Sequence, residues 1–167
     1  MEPLNNTLST AFRFRNCVIQ RFLMMALSTI FLVMLDQAGK ILAQKYFTYP
    51  VAVIRPFLSF SYVENKGILF GLPFTGMPLL IVNALAVIAL LILIFKYVNT
   101  KNRATIIPPM MILAGSVGNL IDRLMLGYVR DFIKIGSWPV FNFADILITV
   151  GCLLSIVFYQ IIFRTYP

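Results

Sequence analysis

Histidine is absent from the 167 residues. That absence removes Ser-His-Asp and Cys-His nucleophile systems and every metal site built on imidazole. Carboxylates are scarce, with Glu2, Asp36, Glu64, Asp122, Asp131 and Asp145 making up the whole set. The two cysteines, Cys17 in a basic stretch and Cys152 in an apolar run, share no context. They read as small hydrophobes with free thiols, not as a metal or redox pair. Charged residues are 12% of the chain, about half the usual share, while 60% is apolar against roughly 45–50% in a soluble domain. So little polarity cannot cover a soluble fold of this length, and the bilayer is the expected solvent. The length itself suits a single unit. A net charge of +8 would permit nucleic-acid binding, but the basic residues are dispersed between apolar runs. They read as membrane-flanking charge, with no nucleic acid as partner.

Four runs approach the ~20 largely apolar residues of a bilayer-crossing helix. They cover about 22–42, 77–95, 104–122 and 140–163, after a basic polar stretch over 1–21. The second is the cleanest, with Asn83 its one strongly polar residue; the third contains Pro108-Pro109, and the fourth carries Asn142 and Asp145 near its start. A secretory signal peptide is the rival reading of the first run. No small-residue cleavage site follows it, and Asp36-Gln37 makes a poor exit, so it is kept as a span. Four spans put both ends of the chain on one side. Lysines and arginines divide evenly between the two faces, but the link 96–103 holds Lys96, Lys101 and Arg103 without an acid, and Arg13, Arg15 and Arg21 precede the first span. The positive-inside rule then places the N-terminus in the cytoplasm. Either orientation gathers every carboxylate except Glu2 on one membrane face, together with a loop over 41–76. In that loop Leu58-Ser59-Phe60-Ser61-Tyr62 alternates as a half-exposed strand does, so a small sheet is expected on this face.

Intramembrane carboxylates are functional candidates by default, since a charge at the bilayer centre costs roughly 2.5–3.5 kcal/mol on insertion scales. Asp36 and Lys40 form an i, i+4 pair in the acid-first order and read as a staple at the span end. Asn119 and Asp122 are three positions apart, as are Asn142 and Asp145, so each pair is expected on one helix face. Asp122 adjoins Arg123 and reads as half of a neutralised ion pair; Asp131 has Arg130 beside it, and its apolar flanks suggest a segment lying back on the membrane. Asp145 has no local cation and is the least explained charge. Ala114, Gly115, Ser116 and Gly118 form a small-residue patch suited to close helix packing.

Five motifs stand in order on this frame: Asp36-Gln37-x-x-Lys40, Asn65-x-Gly67-x-x-Phe70-Gly71, Gly118-Asn119-x-x-Asp122-Arg123, Val129-x-Asp131-Phe132 and Phe141-Asn142-x-Ala144-Asp145. From about residue 30 to residue 151 the set resembles lipoprotein signal peptidase, signal peptidase II, the bacterial membrane aspartyl peptidase that removes signal peptides from prolipoproteins. The resemblance implies an all-α membrane fold of four transmembrane helices with a small extracytoplasmic β-sheet and a short surface helix in the last external loop. It puts the catalytic aspartates on Asp131 and Asp145, and the supporting and substrate-binding residues on Asp36, Lys40, Asn65, Gly67, Asn119, Asp122, Arg123 and Asn142. It implies no cofactor and no metal. The implied partners are lipid-modified prolipoproteins and membrane lipid, and the implied state is a monomeric, multi-pass protein of the bacterial cytoplasmic membrane with its site on the outer face. The chain departs from the pattern in Ile68-Leu69, where the family usually has two alanines, in the 14 positions separating Asp131 from Asp145, and in its longer N-terminal stretch.

Residue list and resemblance agree on mechanism. Two close aspartates share a proton, one activating water while the other donates to the scissile carbonyl. The start of the fourth helix favours an ionised Asp145, which leaves Asp131 the proton. A small proton-coupled transporter or channel subunit is the alternative, but it should carry its carboxylates nearer mid-membrane and on both faces. A non-catalytic scaffold would explain the apolar content and not the repeated Asn-x-x-Asp pairs.

Overall fold

The computed structural model describes residues 2–67, 76–97 and 103–158, with side chains from residue 19 onward except at 97 and 103–105. Ile68-Leu69, Phe70-Gly71, Lys101, the end of the fourth apolar run and Arg164 lie outside the described residues. The elements run α1 (Glu2–Tyr46), β1 (Val51–Ile54), β2 (Leu58–Asn65), α2 (Met77–Tyr97), α3 (Arg103–Leu126), β3 (Val129–Ile135) and α4 (Phe143–Val157). The protein is mostly helical with one small antiparallel sheet of order β1-β2-β3.

Two helical stretches are long and apolar enough to cross a bilayer, Ile19–Tyr46 and Met77–Lys96. Their side chains behave as lipid-facing ones do: Leu23, Leu27, Phe31, Met34, Leu85, Ile92 and Phe95 are all exposed. A soluble core helix would hide such residues. α4 is apolar as well, but its helix covers only 15 residues. α3 is the hub. It packs most closely against α4 and also touches α1 and α2. Glycine makes the closest approach possible: a Cβ on Gly115 would collide with the Ala144 carbonyl of α4, and one on Gly118 would come within 2.5 Å of the Asp36 carboxylate of α1. The small-residue patch is therefore the α3 packing face, as expected.

The strand read from alternation is β2, and it has partners on both sides. Val51 pairs with Phe60 in β1, and Val63, Glu64 and Asn65 pair with Asp131, Arg130 and Val129 in β3. Cross-strand partners share a face, so Asn65 and Val63 stand on the Asp131 side of the sheet while Glu64 and Arg130 stand on the other. A register shift between Phe60 and Val63 sets this phase beside the site. One expectation fails here. Residues 127–142 form no surface helix, because seven of them are spent on β3 and Gly136, Ser137 and Trp138 turn the chain back. The Asp131 segment is a strand whose backbone is taken up by β2, and Val129, Arg130, Asp131 and Phe132 are buried.

Candidate active site

α4 begins on a capping box. The Asn142 side-chain oxygen accepts from the Asp145 backbone N–H at 2.9 Å, and Asp145 Oδ2 accepts from the Asn142 backbone N–H at 3.2 Å. Asp145 is thus in the first helical turn, where the orphan N–H groups and the dipole favour a carboxylate. Asn142 and Asp145 are not two positions on one helix face, as their spacing suggested. Asn142 is the cap, in an extended backbone conformation, and this frees its amide nitrogen to point away from the helix. That nitrogen donates to Asp131 Oδ1 at 2.6 Å. One asparagine therefore clasps both acids.

Each acid has one further amide donor. Asn65 Nδ2 donates to Asp131 Oδ2 at 2.9 Å, and Asn119 Nδ2 donates to Asp145 Oδ1 at 2.8 Å. Asn65 is held in turn by the Gly67 N–H, which donates to its side-chain oxygen at 3.0 Å. Asn119 is oriented by Lys40 Nζ, which donates to Asn119 Oδ1 at 2.9 Å. Asp131 is only 2% exposed. Burial pushes its carboxyl up to about 6, and the charge of Asp145 adds to that push against the hydrogen bonds from Asn65 and Asn142.

Beneath this layer lies a buried ionic one. Lys40 pairs with Asp36 at 2.8 Å and approaches Asp122 at 3.5 Å, and Asp36 Oδ1 accepts from the Ala144 N–H of α4 at 2.9 Å. Asp36 thus ties α1 to the start of α4. Asp122 accepts from the Arg130 backbone N–H at 2.9 Å and from its guanidinium at 2.7 Å. The Glu64–Arg130 pair lies in the part of the ladder that turns the Arg130 N–H away from β2, and this is why that N–H is available to α3. Gln37 completes the layer: its amide nitrogen donates to the Gly118 carbonyl at 3.0 Å and to Asp122 at 3.2 Å, while its oxygen accepts from Arg130 at 2.8 Å. Burial opposes the Arg130 charge, yet its bonds to Asp122 hold the guanidinium above its usual range. Among the described residues, every buried side-chain nitrogen and oxygen finds a partner. The described residues also hold no cluster of three or more metal-ligating side chains.

The sequence profile of the signal peptidase (SPase) II family matches residues 28–162. The chain belongs to the signal peptidase II family. It is 36% identical over 134 residues to the lipoprotein signal peptidase of Clostridium tetani, covering 75% of this chain and 85% of that relative. It is 43% identical over 136 residues to the lipoprotein signal peptidase of Aquifex aeolicus, covering 75% and 79% respectively. Among solved structures, a bacterial membrane enzyme determined by the in meso method at 2.3 Å resolution superposes with a TM-score of 0.73 at 28% identity, over 82% of this chain and 87% of that one. Fold and sequence therefore agree that this is a peptidase of the signal peptidase II family.

In this signal peptidase II chain, nine of the ten residues singled out from sequence come together: Asp131, Asp145, Asp36, Lys40, Asn65, Gly67, Asn119, Asp122 and Asn142 form one hydrogen-bonded set. Arg123 stands apart from it. Asp122 is not paired with its neighbour Arg123, because adjacent helical residues point in different directions; Arg130, eight positions on, takes that place. For the same reason of alternation in a strand, Arg130 does not serve Asp131. Sequence reasoning missed Arg130 and Gln37 as members of the site. Gln37 had a signal, as a second polar residue beside Asp36 in an apolar helix. Arg130 had none, since its partner is set by the β3 register.

Proposed function

We propose that the chain is a membrane aspartyl endopeptidase that cleaves the signal peptide from diacylglyceryl-modified bacterial prolipoproteins, with Asp131 and Asp145 as its dyad. The observation that carries the reading is the Asn142 clasp: two acids from different elements, a strand and a helix start, meet on one asparagine, Asp131 on its side-chain amide and Asp145 on its backbone N–H, and each receives its remaining hydrogen bond from a neutral donor. Structural carboxylates in this protein look different, for Asp36 and Asp122 are each bound to a cation.

In this mechanism the pair holds one proton between two carboxyls. Asp131, whose buried carboxyl keeps its proton up to about pH 6, donates to the scissile carbonyl oxygen. Asp145, ionised at the N-terminus of α4, takes a proton from water as that water attacks the carbonyl carbon. Asp145 then passes its proton to the leaving amine while Asp131 recovers its own from the collapsing diol. Asn65, Asn119 and Asn142 keep the two carboxyls aligned, and Lys40 fixes Asn119. The four helices α1–α4 span the cytoplasmic membrane with both chain ends inside, and the sheet and dyad lie on the outer face, where the acylated cysteine of a precursor is presented. The enzyme acts as a monomer and uses no cofactor.

The test is direct. Purified protein in detergent is incubated with a lipidated prolipoprotein, and the expected product is shorter by one signal peptide, read by mass spectrometry. A precursor left intact from pH 5 to pH 8 by a folded enzyme sinks the reading.

A further inference from the structure

Arg123, the one expected site residue outside the hydrogen-bonded set, lines a separate cavity of about 280 Å³ between the start of α2 and the end of α3. Lys66 supplies a second cation to the same cavity, and Met77, Leu79, Leu80 and Leu124 supply its apolar wall. Among the described residues neither cation has an ion pair or a side-chain hydrogen bond. Arg123 is only half-exposed. The carboxylates of Asp145, Asp131 and Asp122 act on its charge without forming an ion pair or hydrogen bond to it, so its N–H donors are left to bind an anionic oxygen in the cavity.

Depth narrows the choice of anion. Met77 opens a 20-residue apolar stretch, Met77–Lys96, about 30 Å long at 1.5 Å per residue and so matched to a bilayer core. A cavity at its first turn sits at headgroup level. The surroundings agree: Met77, Leu124 and Met125 are 67%, 63% and 78% exposed, an apolar rim that only acyl chains would satisfy. Two cations above an apolar rim match one kind of molecule, an acidic head on hydrocarbon tails. The first turn of α2 contributes no acidic side chain to oppose it.

The geometry points to a binding site for an anionic phospholipid, its phosphate between Lys66 and Arg123 and its acyl chains over Leu80, Leu124 and Met77. The site is distinct from the dyad and stands whether or not the peptidase mechanism is right. It does adjoin the dyad, since the Arg123 charge interacts with those of Asp145 and Asp131.

The experiment measures lipid retention, not cleavage. Intact protein in detergent is titrated with dioleoyl phosphatidylglycerol, with dioleoyl phosphatidylcholine and with inorganic phosphate, and bound lipid is read by native mass spectrometry. At about 1 kcal/mol per cation near an anionic surface, two cations should favour phosphatidylglycerol by roughly 10- to 30-fold. Millimolar phosphate should not displace it, because phosphate lacks the tails. Lys66→Glu and Arg123→Gln should each remove most of the preference, and Lys134→Gln, a cation outside the cavity, should leave it intact. Leu124→Trp, which fills the cavity without touching a charge, should lower phosphatidylglycerol retention and so covers the case of a charge variant that fails to fold. Equal retention of the two lipids, an unchanged preference in Lys66→Glu, or complete displacement by phosphate overturns the proposal.

Discussion

Asp131 carries the strongest energetic signature of any single residue in the proposed site, because burial keeps its carboxyl protonated to about pH 6 where an ordinary aspartate ionises near 3.8. Below 3.8 folded and unfolded chains are both protonated and the residue is silent. Between 3.8 and about 6 the unfolded chain releases its proton first, so stability falls as pH rises, and above 6 the full penalty is present. Asparagine cannot ionise. Asp131→Asn should therefore gain thermal stability relative to the parent across pH 4 to 6 and hold the gain above it, by on the order of 1–3 kcal/mol. Melting curves in detergent at pH 4, 5, 6 and 7 measure this, and a gap independent of pH would refute the assignment. The same variant should lose cleavage by about 10²–10⁴-fold. Asp145→Asn should do likewise, and the double variant should be hardly worse than either single, since the pair works as a unit. Lys40 takes part in both layers. It neutralises Asp36 and also orients Asn119, which divides its role between support and site.

At the scale of elements, α3 decides how near the two layers of the site can come. Gly118 lets Asp36 pass between α1 and α3 to reach the first turn of α4. Gly118→Ala should push that carboxylate off the Ala144 N–H, costing about 1–3 kcal/mol of stability and most of the activity. Gly39 is the matched control, for there an added methyl meets the Phe132 ring at 3.4 Å, near ordinary contact. Gly39→Ala should melt at or slightly above the parent temperature, helped by up to ~1 kcal/mol of helix propensity. Equal melting temperatures for the two variants would remove the packing argument. This scale also marks what was legible in the sequence. α2 and β2 were, because an unbroken apolar run and a strict alternation each have one physical reading. The Asp36–Lys40 pair was, because i, i+4 contact is local. The Asp122–Arg130 pair was not, since it depends on which way β3 turns its backbone once paired with β2, and no local pattern records that register. The missing surface helix has the same origin: residues able to form a strand find one waiting at the β2 edge.

For the molecule as a whole, the distribution of charge should be visible as sidedness. The proposed four-span arrangement puts the β1–β2 turn outside and the basic link 96–103 inside. In the intact chain with Cys17 and Cys152 replaced by serine, a cysteine at Arg55 should react with a membrane-impermeant maleimide in whole cells, and one at Lys101 only after permeabilisation. Labelling of both from the outside would break the four-span arrangement. The fold itself is shared with a solved bacterial membrane enzyme over 82% of this chain at a TM-score of 0.73.

The clasp at Asn142 also governs when such an enzyme first becomes dangerous to its own cell. Asp131 lies on β3 and Asp145 on α4, and Asn142 joins them only once α4 has formed its first turn. Along the chain α4 follows every other element described, so it leaves the ribosome after them. A nascent polypeptide that has formed α1–α3 and the sheet still has Asp131 without Asp145. With these two acids as the proposed dyad, proteolytic competence arrives late in biosynthesis, when α4 docks, and a translation product truncated before residue 142 is inert.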